Sequence, residues 1–352
     1  MNITPLLREN IRNLKPYSSA RGEFEGDAKI FLDANESSTP MGTLPKGINR
    51  YPDPLQKQLK ELLARVKGVN PSQVFIGNGS DEAVDILFRC FCNPKTDNVV
   101  VFPPTYGMYE VCAAINDIAV IASPLDENFS IDLKDFKSKV NANTKLVFIC
   151  NPNNPTGNCQ QRETIETILK SINGIVVVDE AYIDFCPEQS VVSLLPANPN
   201  LVVLQTLSKA WGLAGARVGL ALASPEIIGV MNNVKFPYNI GMPSINIAEK
   251  ALRQKGELPR RIEKTVEQRQ LLTSALAKLP LVEKVYPSQA NFLLIKTTNA
   301  KKIYEALKAE GVVVRDRSNQ PGCTNCLRIT VESPKENRYL LKVFKSINKM
   351  QQ

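Results

Sequence analysis

Lys209 stands among residues that suit covalent chemistry. It occupies Thr206-Leu207-Ser208-Lys209-Ala210-Trp211-Gly212, and Arg217 follows in Gly215-Ala216-Arg217-Val218-Gly219. Upstream lie Asp179-Glu180-Ala181-Tyr182 and Asn151-Pro152-Asn153-Asn154-Pro155-Thr156-Gly157. An amine can condense with an aldehyde as a Schiff base. Hydroxyls and a guanidinium can hold a phosphate, and a carboxylate can pair with a protonated ring nitrogen. Such a lysine needs a lowered pKa, which burial and nearby positive charge supply. The plain alternatives are a solvated loop lysine and, for Asp179, a cap on the next segment. Gly77-Asn78-Gly79-Ser80-Asp81-Glu82 leads into an apolar helical stretch, where free N–H groups and the helix dipole favour an anion.

The chain has 352 residues and no histidine. This excludes Ser-His-Asp triads, Cys-His pairs and His-ligated metals. General acids and bases must come from Lys, Tyr, Asp, Glu or Cys. The eight cysteines are scattered, several in apolar stretches, and read as reduced and buried. Cys323-Thr324-Asn325-Cys326 has the spacing of half a zinc site but no second pair, so it reads as a turn before a strand, and no metal is expected. The net charge of +8 is not gathered into a basic block, which argues against nucleic acid. Neither a secretory signal nor a bilayer-length apolar run is visible, so the expectation is a cytoplasmic chain without membrane attachment.

From residue 70 to 222, strand and helix patterns alternate. Apolar runs begin at Val74, Val99, Ile118, Leu146, Ile175, Leu201 and Val218. Continuous runs imply a sheet covered on both faces, and the order predicts an α/β fold with a mainly parallel seven-stranded sheet. Another strand is expected at Lys29-Ile30-Phe31-Leu32-Asp33, and a helix over Leu55–Val66. Beyond Gly241 a long helical pattern, Ser244–Leu279, is broken near Pro259. Strands at Phe292–Ile295, Val312–Val314 and Leu327–Val331 and a helix near Lys301–Lys308 then form a smaller α+β unit. The expected division is 1–28 as an arm joining the small domain, 29–241 as the large domain and 242–352 as the small one. The motifs follow strand ends, where open parallel sheets bind ligands.

At these residues the chain resembles the fold type I pyridoxal-phosphate aminotransferases. The resemblance implies pyridoxal 5'-phosphate as cofactor, with Lys209 as its Schiff-base partner and proton shuttle and Asp179 on the ring nitrogen. It implies Tyr182 and Asn154 on the ring phenolate, and Tyr106 stacked on the ring. It places Ser208, Thr206, Arg217 and the Gly79-Ser80-Asp81 turn on the phosphate, Asp81 through its backbone N–H. Tyr51, in Arg50-Tyr51-Pro52-Asp53, would reach the phosphate of a neighbouring subunit, making the active unit a homodimer.

Three further stretches resemble the histidinol-phosphate aminotransferase family. They are Asn10–Tyr17, Leu32-Asp33-Ala34-Asn35-Glu36 with Arg50–Asp53, and Arg315-Asp316-Arg317 with Cys326–Thr330. The implied reaction exchanges the amino group between glutamate and histidinol phosphate, through 2-oxoglutarate and imidazole-acetol phosphate. Arg328, then Arg315, would bind the substrate's phosphate or carboxylate, because guanidinium pairs bidentately with either. Asn154 would also touch substrate, and Tyr17 would close over it. The Ser37–Gly42 loop is shorter than the family's usual turn. The competing readings are an aromatic aminotransferase, a phosphothreonine decarboxylase-like lyase and a non-catalytic regulator.

Overall fold

A computed structural model of the chain describes residues 2–15, 30, 32–45 and 47–350. The apolar runs become β1 (Val74–Asn78), β2 (Asn98–Val101), β3 (Ala119–Ala122), β4 (Thr144–Cys150), β5 (Ile175–Asp179), β6 (Leu201–Thr206) and β7 (Val218–Ala223). They form one sheet in the order β1-β7-β6-β5-β4-β2-β3. β7 is antiparallel to both neighbours, and every other pair is parallel. The fold is therefore α/β with a mainly parallel seven-stranded sheet, as the alternation predicts.

Successive strand residues point to opposite faces, so continuous apolar runs feed two cores at once. Val147, Ile149, Val176, Val178 and Val203 pack with Leu59, Leu63, Ile165 and Ile168 of the helices Lys57–Lys67 and Arg162–Ser171. Phe148, Val177, Val202 and Leu204 pack on the other side with Val84, Leu87 and Phe88 of the helix Ser80–Phe91. The exception is β3, expected to be covered on both faces. It lies at the sheet edge with one neighbour, and Val120 is 37% exposed.

A second sheet comprises β8 (Val282–Val285), β9 (Phe292–Thr297), β10 (Arg315–Asp316) and β11 (Cys326–Thr330), antiparallel in the order β10-β11-β9-β8. One face carries Leu293, Ile295, Leu327 and Ile329 and packs on the helices Leu258–Leu276, Ala300–Ala309 and Pro334–Met350. The opposite face carries Phe292, Leu294, Cys326 and Arg328, and Phe292 meets Tyr182 of the large sheet's edge in a T-shaped contact at 5.0 Å.

Several expectations are corrected. Ile30, Leu32 and Asp33 are not in a strand; Lys29 and Phe31 lie outside the described residues. Val312–Val314 is irregular, with Val313 78% exposed, and pairing starts at Arg315. β8 was not expected, because Val282-Glu283-Lys284-Val285 places charges in an exposed edge strand. The arm's described residues do not join the small sheet. Ile3 and Leu6 are buried in the core beneath the helix Ser80–Phe91, and Arg8 N–H donates to Cys90 O at 3.0 Å. The helix Met242–Arg253, expected in the small domain, packs on the large sheet through Ile245, Ala248 and Leu252. The chain leaves that core after the turn Lys255–Glu257.

Gly219 sits where β1 and β7 converge. A methyl group there would overlap the Gly79 carbonyl carbon and the Ser80 nitrogen. Overpacking of this kind costs about 1–3 kcal/mol. Gly219→Ala is expected to lower the thermal unfolding midpoint while preserving far-ultraviolet circular dichroism.

Candidate active site

The carboxyl ends of β1, β4, β5 and β6 lie on one edge, together with the start of the antiparallel β7. That edge holds a cavity of about 200 Å³. Every residue expected at the cofactor except Tyr51 lines it, from Gly79, Ser80 and Asp81 to Lys209 and Arg217. The strands bring together residues that are up to about 140 positions apart, as the sheet topology requires.

Asp179 ends β5 on the cavity floor and is buried. Its Oδ2 accepts from the Tyr109 hydroxyl at 2.7 Å, and its Oδ1 from the Ala181 N–H at 3.1 Å. Among the described residues no Lys or Arg nitrogen lies within 4.0 Å of it. Burial pushes its pKa up to about 6, against the pull of Tyr109 and Ala181. Sequence reasoning missed Tyr109. The residue is fully buried, stacked on Phe148 at 4.7 Å and edge-on to Tyr106 at 5.5 Å. Its spacing of three from Tyr106, at a helix start, was the available signal.

Lys209 opens into the cavity after β6, with Nζ 5.4 Å from the Tyr182 ring centre. Desolvation lowers its pKa, and the Arg328 charge lowers it further. This is the direction that frees an amine for chemistry. Burial raises the Tyr182 hydroxyl above its ordinary range. Asn154 is held by Arg328, whose Nη1 donates to Asn154 Oδ1 at 2.5 Å. The preceding loop is fixed by Asn153, which donates to Pro104 O at 2.8 Å and accepts from the Thr105 hydroxyl at 3.0 Å. That pins Tyr106 over the cavity.

At the other end the helix Ser80–Phe91 starts with its free N–H groups toward the cavity. Gly79 takes φ +78°, and a methyl group on it would overlap the Arg217 guanidinium. Arg217 lies in the left-handed region, φ +53°, and its carbonyl accepts from Gly79 N–H at 3.0 Å. The Thr206 and Ser208 hydroxyls are 2.9 Å apart beside them. Asp81 was expected to act only through its backbone. Its carboxylate also receives the Tyr106 hydroxyl at 3.0 Å and faces Arg217 at 3.7 Å. These groups fit the three polar ends of pyridoxal phosphate. The cup offers N–H, hydroxyl and guanidinium donors to a phosphate, Lys209 faces the aldehyde position, and Asp179 is a buried carboxylate that lacks a cation.

The cup is braced from behind. Glu82 accepts from the Asn78 N–H and from Asn239 Nδ2, while Gln56 Nε2 donates to Asn239 Oδ1 at 3.0 Å. Beside this brace lie two buried lysines. Lys235 donates to the carbonyls of Pro54, Phe236 and Pro237, and burial brings it and Lys60 down to about 8.

Arg328 meets the cavity through Asn154, and Arg315 is its exposed cross-strand partner on the small sheet. Tyr51 is not brought to this cavity: it is 50% exposed and stacks on Tyr238 at 4.5 Å. Tyr17 lies outside the described residues. Cys323 and Cys326 are buried against Phe129 and Leu294, in the turn that leads into β11. Among the described residues no helix is long and apolar enough to cross a membrane.

Fold and site together define a transferase of the pyridoxal-phosphate type, and the chain belongs to the aminotransferase class I and II family, which matches residues 33–344. It is 49% identical to the histidinol-phosphate aminotransferase of Parabacteroides distasonis over 98% of this chain and 99% of that one. Among solved structures it is similar to the histidinol-phosphate aminotransferase from Clostridium acetobutylicum. That likeness has a TM-score of 0.80 and 25% identity, over 86% of this chain and 92% of that one. It is also similar to the enzyme from Sinorhizobium meliloti in complex with pyridoxal-5'-phosphate, with a TM-score of 0.78 and 25% identity over 85% and 84%.

A carboxyl whose native pKa is raised favours folding while it is protonated and loses that contribution as pH rises. For Asp179 the window runs from the ordinary value near 3.8 up to about 6. Relative to Asp179→Asn, the cofactor-free wild type is therefore expected to lose stability from pH 4 to 6 and to level off above, as measured by urea unfolding. Tyr109→Phe removes a donor to the ionised form. It is expected to move that window upward and to weaken cofactor binding about 10-fold in a fluorescence titration.

Proposed function

We propose that the chain is a histidinol-phosphate aminotransferase of histidine biosynthesis, working with pyridoxal 5'-phosphate in a ping-pong reaction. The observation that carries this reading is Arg328, paired across the strands with Arg315, reaching Asn154 of a cavity that holds Lys209 and Asp179. Its support is the likeness to histidinol-phosphate aminotransferases over nearly the whole chain.

When bound, pyridoxal phosphate supplies an aldehyde that carries the amino group and a ring that takes up the electron pair released at the substrate's Cα. The chain does the rest. Asp179 holds a positive charge on the ring nitrogen, because a buried carboxylate stabilises a cation far better than water does. Tyr182 and Asn154 orient the ring's oxygen side. Lys209 would hold the cofactor through its aldehyde, and its Nζ is the group that would carry a proton between the substrate's Cα and that cofactor carbon. Burial and the Arg328 charge lower its pKa, the direction that favours the neutral amine able to accept that proton. Arg328 and Arg315 bind the glutamate carboxylate in one half-reaction and the phosphate ester in the other. One arginine pair can therefore serve two dissimilar substrates.

The active unit in this reading is a homodimer in the cytoplasm. Tyr51 supports it, because its half-exposed ring stacks on Tyr238 and does not line its own cavity. Sedimentation equilibrium is expected to return the dimer mass.

The decisive test is half-transamination of the holoenzyme. L-histidinol phosphate, L-glutamate and L-phenylalanine are mixed with it in separate cuvettes, and loss of the visible cofactor band is followed. Fast bleaching by the first two is expected. Bleaching by phenylalanine alone would sink the reading in favour of an aromatic aminotransferase, and release of carbon dioxide would favour a lyase. Lys209→Ala is expected to slow both half-reactions by roughly 10²–10⁴-fold or more, by stopped-flow absorbance.

A further inference from the structure

We infer that Arg317 is a third anion-binding guanidinium, which takes the substrate's phosphate together with Arg328 and so favours the phosphate ester over glutamate. This rests on the transaminase reading above.

The placement follows from the register of the small sheet. Arg315 pairs with Arg328, Asp316 with Leu327, and the Arg317 N–H donates to Cys326 O at 2.9 Å. Residues two apart on a strand share a face, and cross-strand partners point the same way. Arg315, Arg317 and Arg328 therefore stand on one face, the face that also carries Phe292, which meets Tyr182, and Leu294. The other face is filled by Leu327, Ile329 and Leu293.

Like charges opposite one another across a ladder repel. Here three gather, and the described residues offer no charge to neutralise them. Among the described residues none of the three has a carboxylate within 4.0 Å. Asp316 stands between two of them in sequence but on the other side of the strand, where it accepts from the Ser318 N–H at 2.8 Å. The Nε of Arg317 is buried and has no hydrogen-bond partner. A buried donor left without an acceptor is costly, so the site is built for an acceptor that comes from outside the chain.

The number of donors indicates which acceptor. A carboxylate carries one charge and is satisfied by one guanidinium fork. A phosphate monoester carries about −1.5 to −2 near neutrality and has three strong acceptor oxygens. Arg328 already commits Nη1 to Asn154. A second fork is needed for the phosphate but not for the carboxylate. Arg315 is exposed at the outer edge, whereas Arg317 is half-buried and its charge acts on both Tyr182 and Arg328.

The test measures the two half-reactions separately on the wild-type, Arg317→Gln and Arg317→Lys holoenzymes. For Arg317→Gln the apparent dissociation constant of L-histidinol phosphate is expected to rise about 10- to 100-fold, the weight of a charged hydrogen bond. That of L-glutamate should change less than about 3-fold, with both limiting rates kept. Inorganic phosphate, as a competitive inhibitor, should weaken in parallel with histidinol phosphate. Arg317→Lys, which keeps the charge and loses the fork, should fall between and covers the case in which the glutamine variant does not fold. Equal losses for both substrates, or no loss for either, overturn the inference. If wild type is not bleached by histidinol phosphate, the transaminase reading fails and this inference with it. Normal wild-type bleaching with unchanged variants overturns the inference alone.

Discussion

Asp179 is a carboxylate taken out of water before it has a cation to face. The strand that ends there is buried along its whole length, and among the described residues only Tyr109 and one backbone N–H donate to the charge. Desolvation of an unpaired charge is among the largest single costs a fold can carry, and proteins tolerate it mainly where a ligand repays it. Much of the surrounding architecture exists to keep that arrangement intact. Phe148 stacks on Tyr109, Tyr109 holds the carboxylate, and Tyr106 stands edge-on above it. A softer floor would let water in and remove the reason for a cationic ring nitrogen to settle there.

The two sheets contribute different chemistry to one cavity. The large sheet supplies the end that takes the cofactor, and its antiparallel strand β7 is the structural reason. By reversing direction it starts where its neighbours finish, so Arg217 arrives beside Gly79 and the first turn of the helix Ser80–Phe91. In the proposed reading the small sheet supplies the substrate end. Its helices cover one face completely, which leaves the other to present Arg328 against Asn154 and Phe292. The join is direct, through Gln289 N–H to Gly157 O at 2.7 Å and Phe292 against Tyr182.

What was legible in the sequence was chemistry tied to local spacing. Lys209, Asp179, Asn154 and the Gly79-Ser80-Asp81 turn each sit at a strand end or within four residues of one, so reading the strands also placed the motifs. What was not legible depends on tertiary register. Tyr109 becomes the partner of Asp179 only because the helix Met108–Ile115 packs under β4 and β5, and no spacing rule connects positions 70 apart. Arg317 looks like half of a charge pair until β10 and β11 are aligned. The helix Met242–Arg253 follows a turn that suggested a boundary, yet its apolar face was already complementary to the large core. β8 was missed because two exposed charges, Glu283 and Lys284, in the middle of a four-residue strand leave little periodicity to read.

Burial has a consequence for how this protein meets protons. It contains no imidazole, the group that ordinarily exchanges protons near neutrality. The neutral range is populated instead by groups displaced into it from both sides: Asp179 and Glu180, at about 6 and 7, and Lys60 and Lys235, both at about 8. Each is there because of desolvation, so its titration reports how tightly its surroundings are packed. Loosening the packing around any of these four groups would therefore carry its titration back toward the ordinary value, out of the neutral range.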